Sequence, residues 1–269
     1  MNEKILRLAL VGKDVSKSVS GAIHTFILKE WGYTCEYEYF SVEKQDFDSV
    51  MAQLLGDFDG FNVTIPYKRD VMGYLDEVTG DAFACGSVNT VSAAARQGFN
   101  TDGVGFLLML RTAGVSVSDK KVLVLGGGGS GRSTAAALKG AGAFVSVYQR
   151  RREKLEELCN ELGVTPADDP NAGGYDILVN CTGVGMHDTE GQSPVRESAF
   201  DGVKCAVDLI YRPSQSEFLR LADSKGIFTL NGETMLFYQA YYADCIYTER
   251  TPNDDEALAL YKKWTEVQG

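Results

Sequence analysis

An unbroken apolar run, Val122-Leu123-Val124-Leu125, leads directly into Gly126-Gly127-Gly128-Gly129-Ser130-Gly131. Such a run reads as a parallel strand covered on both faces. Ser133-Thr134-Ala135-Ala136-Ala137-Leu138 follows as a good helix former, and Phe144-Val145-Ser146-Val147-Tyr148 as a second strand. Strand, glycine turn, helix and strand form the unit that seats a dinucleotide pyrophosphate on a helix N-terminus. Gly126, Gly128 and Gly131 have the G-x-G-x-x-G spacing, and Gly129 lies in the same turn. Without a Cβ the turn can be tight, and backbone N–H groups can reach phosphate oxygens.

The end of the second strand indicates which dinucleotide. An NAD site places an Asp or Glu about twenty residues on, to bond the ribose 2′-hydroxyl. Here the chain reads Gln149-Arg150-Arg151-Arg152, with no acid before Glu153. A carboxylate would repel a 2′-phosphate, whereas Arg offers it bidentate, charge-assisted hydrogen bonds. NADP is therefore the expected cofactor. The plainer alternative is a solvated helix start. Positive charge at a helix N-terminus is unfavourable, however, unless an anion lands there.

With 269 residues the chain has room for two domains, each with its own core. A net charge of −11 without a long basic run argues against nucleic acid as a partner. No apolar run approaches a membrane span and the first residues do not read as a signal peptide, so a cytoplasmic protein is expected. The six cysteines include no C-x-x-C, and the only histidines are His24 and His187. Free thiols are expected rather than disulfides, and no metal site.

Residues 5–12 read as a first strand, followed by a polar loop with Ser18 and Ser20 and a helix from Gly21 to about Trp31. Strands are also expected at 35–40, 60–64, 88–91, 98–101, 176–180 and 205–209, with Arg96-Gln97-Gly98 turning between the fourth and fifth of the chain. Helices are expected at 47–55, 104–112, 231–247 and 254–264. The alternation implies open α/β sheets, with ligands at the carboxyl ends of the strands.

Oxidising an alcohol by hydride transfer needs a group that takes the hydroxyl proton. Asn62-Val63-Thr64-Ile65-Pro66-Tyr67-Lys68 puts a lysine just past a strand, and Asn100-Thr101-Asp102-Gly103 puts a carboxylate at another such junction. A desolvated lysine beside a carboxylate suits proton transfer. A surface lysine and a helix-capping aspartate are the alternative. Ser18 and Ser20 could donate to a substrate carboxylate near a helix N-terminus, or simply cap it. His24 reads as a packed, hydrogen-bonded side chain.

These segments together resemble the shikimate dehydrogenase family, from Gly12 to Gln239. The resemblance rests on Gly12 to His24, Asn62 to Lys68, Gly86-Ser87-Val88-Asn89-Thr90 and Phe99 to Gly103. It continues in Asn180-Cys181-Thr182-Gly183-Val184-Gly185-Met186, Asp208 to Pro213 and Met235 to Gln239. It implies an N-terminal α/β substrate-binding catalytic domain (1–103 and 237–269) and a doubly wound, Rossmann-type NADP domain (104–236). The C-terminal helices would return to the first domain, and the active site would lie in the cleft between the two. The implied activity is the NADP-dependent reversible reduction of 3-dehydroshikimate to shikimate, on the route to chorismate and the aromatic amino acids.

By the same resemblance Lys68 and Asp102 would be the catalytic pair. Ser18 and Ser20 would bind the substrate carboxylate, and Thr64, Asn89 and Gln239 its ring hydroxyls, with Tyr211 nearby. Gly126, Gly128, Gly129 and Gly131 would take the pyrophosphate, Gln149, Arg150 and Lys154 the 2′-phosphate, and Thr182 and Met186 the nicotinamide side. Gly21 stands where the family usually has proline, which implies a looser serine loop. Gln149 replaces an asparagine and Ser216 a threonine. A quinate/shikimate dehydrogenase with broader substrate or NAD use, an aminoshikimate-type relative and a non-catalytic NADP-binding regulator are the alternatives. The chain would act on a small molecule, as a monomer or a homodimer.

Overall fold

The computed structural model describes residues 4–268. The chain forms two compact units, one from the residues up to Gly105 together with those from Leu236 onward, the other from Phe106 to Met235.

In chain order the first unit runs β1 (Lys4–Gly12), α1 (Ser20–Glu30), β2 (Tyr33–Ser41), α2 (Phe47–Asp57), β3 (Gly60–Val63), β4 (Glu77–Val78), α3 (Gly80–Cys85), β5 (Thr90–Ser92), β6 (Gln97–Phe99) and the start of α4 (Asp102–Thr112). Its sheet has the order β2-β1-β3-β5-β6-β4. β1 pairs in parallel with β2 and β3, whereas β5 runs antiparallel to both β3 and β6. The chain leaves β1 for β2 on one side and returns to β3 on the other, so the strand order switches at the carboxyl ends of β1 and β3. Loops diverge there, and ligand sites of open α/β sheets form there.

The core beneath these ends consists of Phe61, Met51, Leu54 and Phe47, all nearly or fully buried. Tyr67 joins it, stacked on Phe47 with ring centroids 4.2 Å apart, and donates its hydroxyl to the Val42 carbonyl at 2.6 Å. Burying each such side chain contributes about 1.5–3 kcal/mol. Tyr67 thereby anchors the segment that carries Lys68.

The hairpin differs from the sequence reading. Its turn spans Ala93 to Arg96, with the Arg96 N–H donating to the Ala93 carbonyl and Arg96 at φ 47°. Gly98 lies in the ladder opposite Val91, where a Cβ would meet Leu75 at 2.5 Å. Close approach, not turning, is what needs glycine there. Asn89 and Thr101 fall outside the ladder.

The second unit continues with β7 (Lys121–Leu125), α5 (Gly129–Gly140), β8 (Phe144–Tyr148), α6 (Arg152–Leu162), β9 (Thr165–Pro166), β10 (Ile177–Asn180), β11 (Cys205–Asp208), α7 (Glu217–Asp223) and β12 (Phe228–Leu230). All strands are parallel, in the order β12-β11-β10-β7-β8-β9. Read from β9 this is the doubly wound order 3-2-1-4-5-6 of dinucleotide-binding sheets. Leu123, Leu125, Leu178 and Ala206 pack with Phe200 and Phe218 in its core.

Helix α8 (Glu233–Tyr247) passes into the first unit at Leu236, and α9 (Asp254–Gln268) lies wholly within the residues of that unit. Phe237 and Trp264 pack against Phe26 of α1, so the C-terminal helices complete the first unit's core. Among the described residues no helix is long and apolar enough to cross a membrane.

Candidate active site

In the first unit Lys68 Nζ stands 2.5 Å from Asp102 Oδ2, and both side chains are buried. The lysine follows β3 and the aspartate opens α4, 34 positions further on. Capping does not explain Asp102. The residue is already helical, and its own N–H is taken by Asn100 Oδ1 at 3.1 Å. Its second carboxylate oxygen accepts from Asn89 Nδ2 at 2.8 Å. The same amide reaches Thr101 Oγ1 at 2.9 Å and Gln239 Oε1 at 3.3 Å. Asn89 Oδ1 in turn accepts the Thr101 N–H at 2.8 Å. Lys68, Asp102, Asn89 and Gln239, named from four separate stretches, thus form one hydrogen-bonded cluster. Thr101 and Thr90, which also bond Asn89, are absent from the sequence assignment, because only the fold turns them toward it.

Beside the cluster, at the end of β1, a Cβ on Gly12 would lie 2.4 Å from Thr64 Cγ2, so only glycine lets Thr64 sit against this strand end. The following loop carries Ser18 and Ser20, whose hydroxyls bond each other at 3.0 Å, and the Ser20 N–H donates to Ser18 Oγ at 3.2 Å. The N-cap residue of α1, Val19, makes no side-chain cap, and no acid occupies the first turn. Two hydroxyls at a helix N-terminus free of negative charge suit a carboxylate. The loop is not left loose by Gly21. The Gly21 N–H donates to the Tyr39 hydroxyl at 3.0 Å, and that hydroxyl donates to the Ser18 carbonyl at 3.3 Å.

His24, one turn into α1, is fully buried with Nδ1 2.6 Å from Asp244 Oδ1. Burial raises the Asp244 carboxyl to about 6, opposed by its contact with His24. The His24 ring stacks on Tyr37 at 5.1 Å, and Tyr37 donates to Asn62 Oδ1 at 3.2 Å. Asp244 is the one Asp, Glu, Lys, Arg or His between Thr234 and Thr248, and that isolation in an apolar helix is the sequence signal for this pair.

In the second unit Gly126 has φ +103°, and a Cβ there would meet the Cys181 backbone at 3.1 Å. A Cβ on Gly131 would stand 2.0 Å from the Gly126 carbonyl oxygen, closer than any atom can. Gly128, by contrast, faces open space ahead of α5, and the first turn of α5, from Gly129, carries no acid. One glycine makes the turn, one lets helix and strand close up, and one leaves room for a phosphate.

Beyond β8 the arginines separate. Arg152 is engaged by Glu156 at 2.7 Å and by Asp168. Arg150, Arg151 and Lys154 stand exposed with no ion-pair partner among the described residues. Gln149 lies beside the glycine turn, its Oε1 2.5 Å from where a Gly127 Cβ would be. Uncommitted cations at this strand end fit a 2′-phosphate.

Residues 10–91 match the family model described as the shikimate dehydrogenase substrate binding domain. The shikimate dehydrogenase (NADP(+)) of Thermus thermophilus is 36% identical over 251 residues, covering 93% of this chain and 95% of that one. This chain belongs to the shikimate dehydrogenase family. The corresponding protein of Caldicellulosiruptor saccharolyticus is 37% identical, with 90% of this chain and 91% of that one covered. Among solved structures, the shikimate 5-dehydrogenase of Thermus thermophilus in complex with NADP(H) and shikimate superposes with a TM-score of 0.86 at 34% identity, over 96% of this chain and 99% of that one.

In this shikimate dehydrogenase family member the loops after β10 and β11 are tied to each other. Fully buried Asp208 accepts from Ser216 Oγ at 2.5 Å, Asn180 Nδ2 at 3.0 Å and the Ile210 N–H at 3.0 Å. Asn180 Oδ1 accepts from the hydroxyl of Thr182 at 2.7 Å, and Ser216 caps α7 through the Leu219 N–H. Thr182 and Met186 lie on the first of these loops and Tyr211 on the second. The knot gives Ser216 two tasks, since its hydroxyl donates to Asp208 and accepts from the Leu219 N–H.

Burial raises the Asp208 carboxyl to about 6, against the three donors that lower it. An acid held above its unfolded value near 4 binds more protons folded than unfolded. Its contribution therefore weakens stability as pH rises from about 4 to about 6. Asp208→Asn should remove this slope, gaining on the order of 2–3 kcal/mol relative to the native chain between pH 4 and pH 7. Denaturant titrations at those two pH values check it, and parallel curves would contradict the assignment.

Proposed function

We propose that this chain catalyses the reversible, NADP-dependent reduction of 3-dehydroshikimate to shikimate, with Lys68 and Asp102 as the catalytic pair. The observation that carries the reading is the buried Lys68–Asp102 contact, fixed by Asn89, in a chain of this family.

When bound, NADP supplies or accepts the hydride. Gly126, Gly128, Gly129 and Gly131 would hold its pyrophosphate, Gln149, Arg150 and Lys154 its 2′-phosphate, and Thr182 and Met186 its nicotinamide side. Ser18 and Ser20 would bind the substrate carboxylate. Thr64, Asn89, Tyr211 and Gln239 would orient the ring hydroxyls.

As the carbinol C–H electrons depart, the hydroxyl proton moves to Lys68 Nζ. The ammonium so formed lies against Asp102, whose carboxylate offsets the new charge in a buried setting where Coulomb attraction is strong. Asn89 keeps Asp102 from rotating away. In the reductive direction the same ammonium returns the proton to the nascent alkoxide. The substrate-binding role would fall to the first unit and the cofactor role to the second. A cytoplasmic setting suits the six cysteines, all of which are free thiols.

Initial rates with shikimate and quinate, each with NADP⁺ and NAD⁺, test the reading. Shikimate with NADP⁺ is expected to exceed every other pair by at least tenfold in kcat/KM. Comparable rates on quinate, or a preference for NAD⁺, would move the chain to a broader-specificity activity.

A further inference from the structure

The Ser18–Ser20 loop has an unusual support. The first-turn amides of a helix need acceptors, and here Val19 supplies none from its side chain. The acceptor for Gly21 comes from β2, 18 positions away, as the hydroxyl of Tyr39. That hydroxyl then donates to the Ser18 carbonyl, so one phenol spans the loop from residue 18 to residue 21. Between these two anchors lie both serine hydroxyls.

Gly21 is what admits the phenol. A Cβ at position 21 would stand 2.5 Å from the Tyr39 hydroxyl oxygen and 2.9 Å from the Tyr37 ring. A proline there would fill the same space and remove the N–H that Tyr39 accepts. Glycine and tyrosine therefore form a matched pair. The preset backbone of proline is replaced by a hydrogen-bonded clamp from the neighbouring strand.

We propose that Tyr39 is a positioning residue of the substrate site, holding Ser18 and Ser20 in the spacing that receives a carboxylate, with Gly21 as its required partner. The proposal rests on the reading of that loop as the carboxylate site. Tyr39 does not touch the Lys68 cluster in its hydrogen bonding, so its loss should weaken binding of the substrate and spare the chemical step.

The test is steady-state kinetics of Tyr39→Phe, Ser18→Ala, Gly21→Ala and the Gly21→Ala/Tyr39→Phe double variant, with shikimate and NADP⁺. Tyr39→Phe should raise KM for shikimate about tenfold, the effect of losing two hydrogen bonds on the loop. Its kcat and its KM for NADP⁺ should stay within twofold. Gly21→Ala should cost less in the Tyr39→Phe background than in the native one, because the hydroxyl it collides with is gone. An unchanged KM in Tyr39→Phe, with Ser18→Ala raising it, would overturn the clamp alone. An unchanged KM in Ser18→Ala would overturn the carboxylate reading and the clamp with it. Equal losses in kcat and in KM for NADP⁺ would show a general structural role and also overturn the proposal.

Discussion

Lys68→Ala is expected to lower kcat for shikimate oxidation by a hundredfold to ten-thousandfold, the range that removal of a positioned acid–base group produces. Affinity for NADP⁺ should remain within about twofold, because the glycine turn and the cations beyond β8 belong to the other unit. The variant also leaves the buried Asp102 without its 2.5 Å partner, which costs stability of roughly 3–5 kcal/mol in the first unit. Rates must therefore be compared at equal folded fraction. Asn89 and its neighbours still hold the carboxylate, so the fold around it has a remaining tie. Single-turnover rates and a fluorescence titration with NADP⁺ separate the two effects. A kcat within threefold of the native value would remove Lys68 from its catalytic role.

The second large effect concerns the cofactor. Arg150→Ala combined with Lys154→Ala should raise KM for NADP⁺ about a hundredfold and leave KM for NAD⁺ within twofold. Each cation would give up a charge-assisted hydrogen bond, worth about 1.5–3 kcal/mol in general and less at exposed positions, where solvent and salt screen it. Arg152→Ala should behave differently, since its guanidinium is already engaged by Glu156 and Asp168. Its expected cost falls on the start of α6, with KM for NADP⁺ nearly unchanged. Steady-state kinetics of both variants at low and high ionic strength decide the matter. Equal effects on NADP⁺ and NAD⁺ would mean that these cations do not read the 2′-phosphate.

Much of this was legible in the residues. The glycine spacing announced the turn, because Gly126 answers a demand of φ and Gly131 one of space. Val122 to Leu125 announced a strand covered on both faces, and all four are buried. Other features were present but unread. Leu155, Leu158, Cys159 and Leu162 carry the helical spacing of α6 and form its buried face. Ser216 ahead of Glu217 carries the start of α7. The short strands β4, β9 and β12 leave too few residues for any period to show. Of the two acids that engage Arg152, Glu156 stands one helical turn on and was legible as an i,i+4 pair, whereas Asp168 comes 16 positions later and was not. Asp102 was equally ambiguous as a cap or a catalytic group until Lys68 stood beside it. Gly21 read as a weakness only while its partner on β2 was unknown.

The two stretches that build the first unit have a consequence for the order of synthesis. Phe106 to Met235 is one continuous segment with its full parallel sheet, and it can fold as it leaves the ribosome. The first unit cannot, because Gln239 and Asp244 emerge only after that segment is complete. Until then His24 and Asn89 lack partners that lie 220 and 150 positions ahead. A nascent chain would thus hold a finished nucleotide fold well before it could hold a finished catalytic centre, and turnover would begin only with α8 in place.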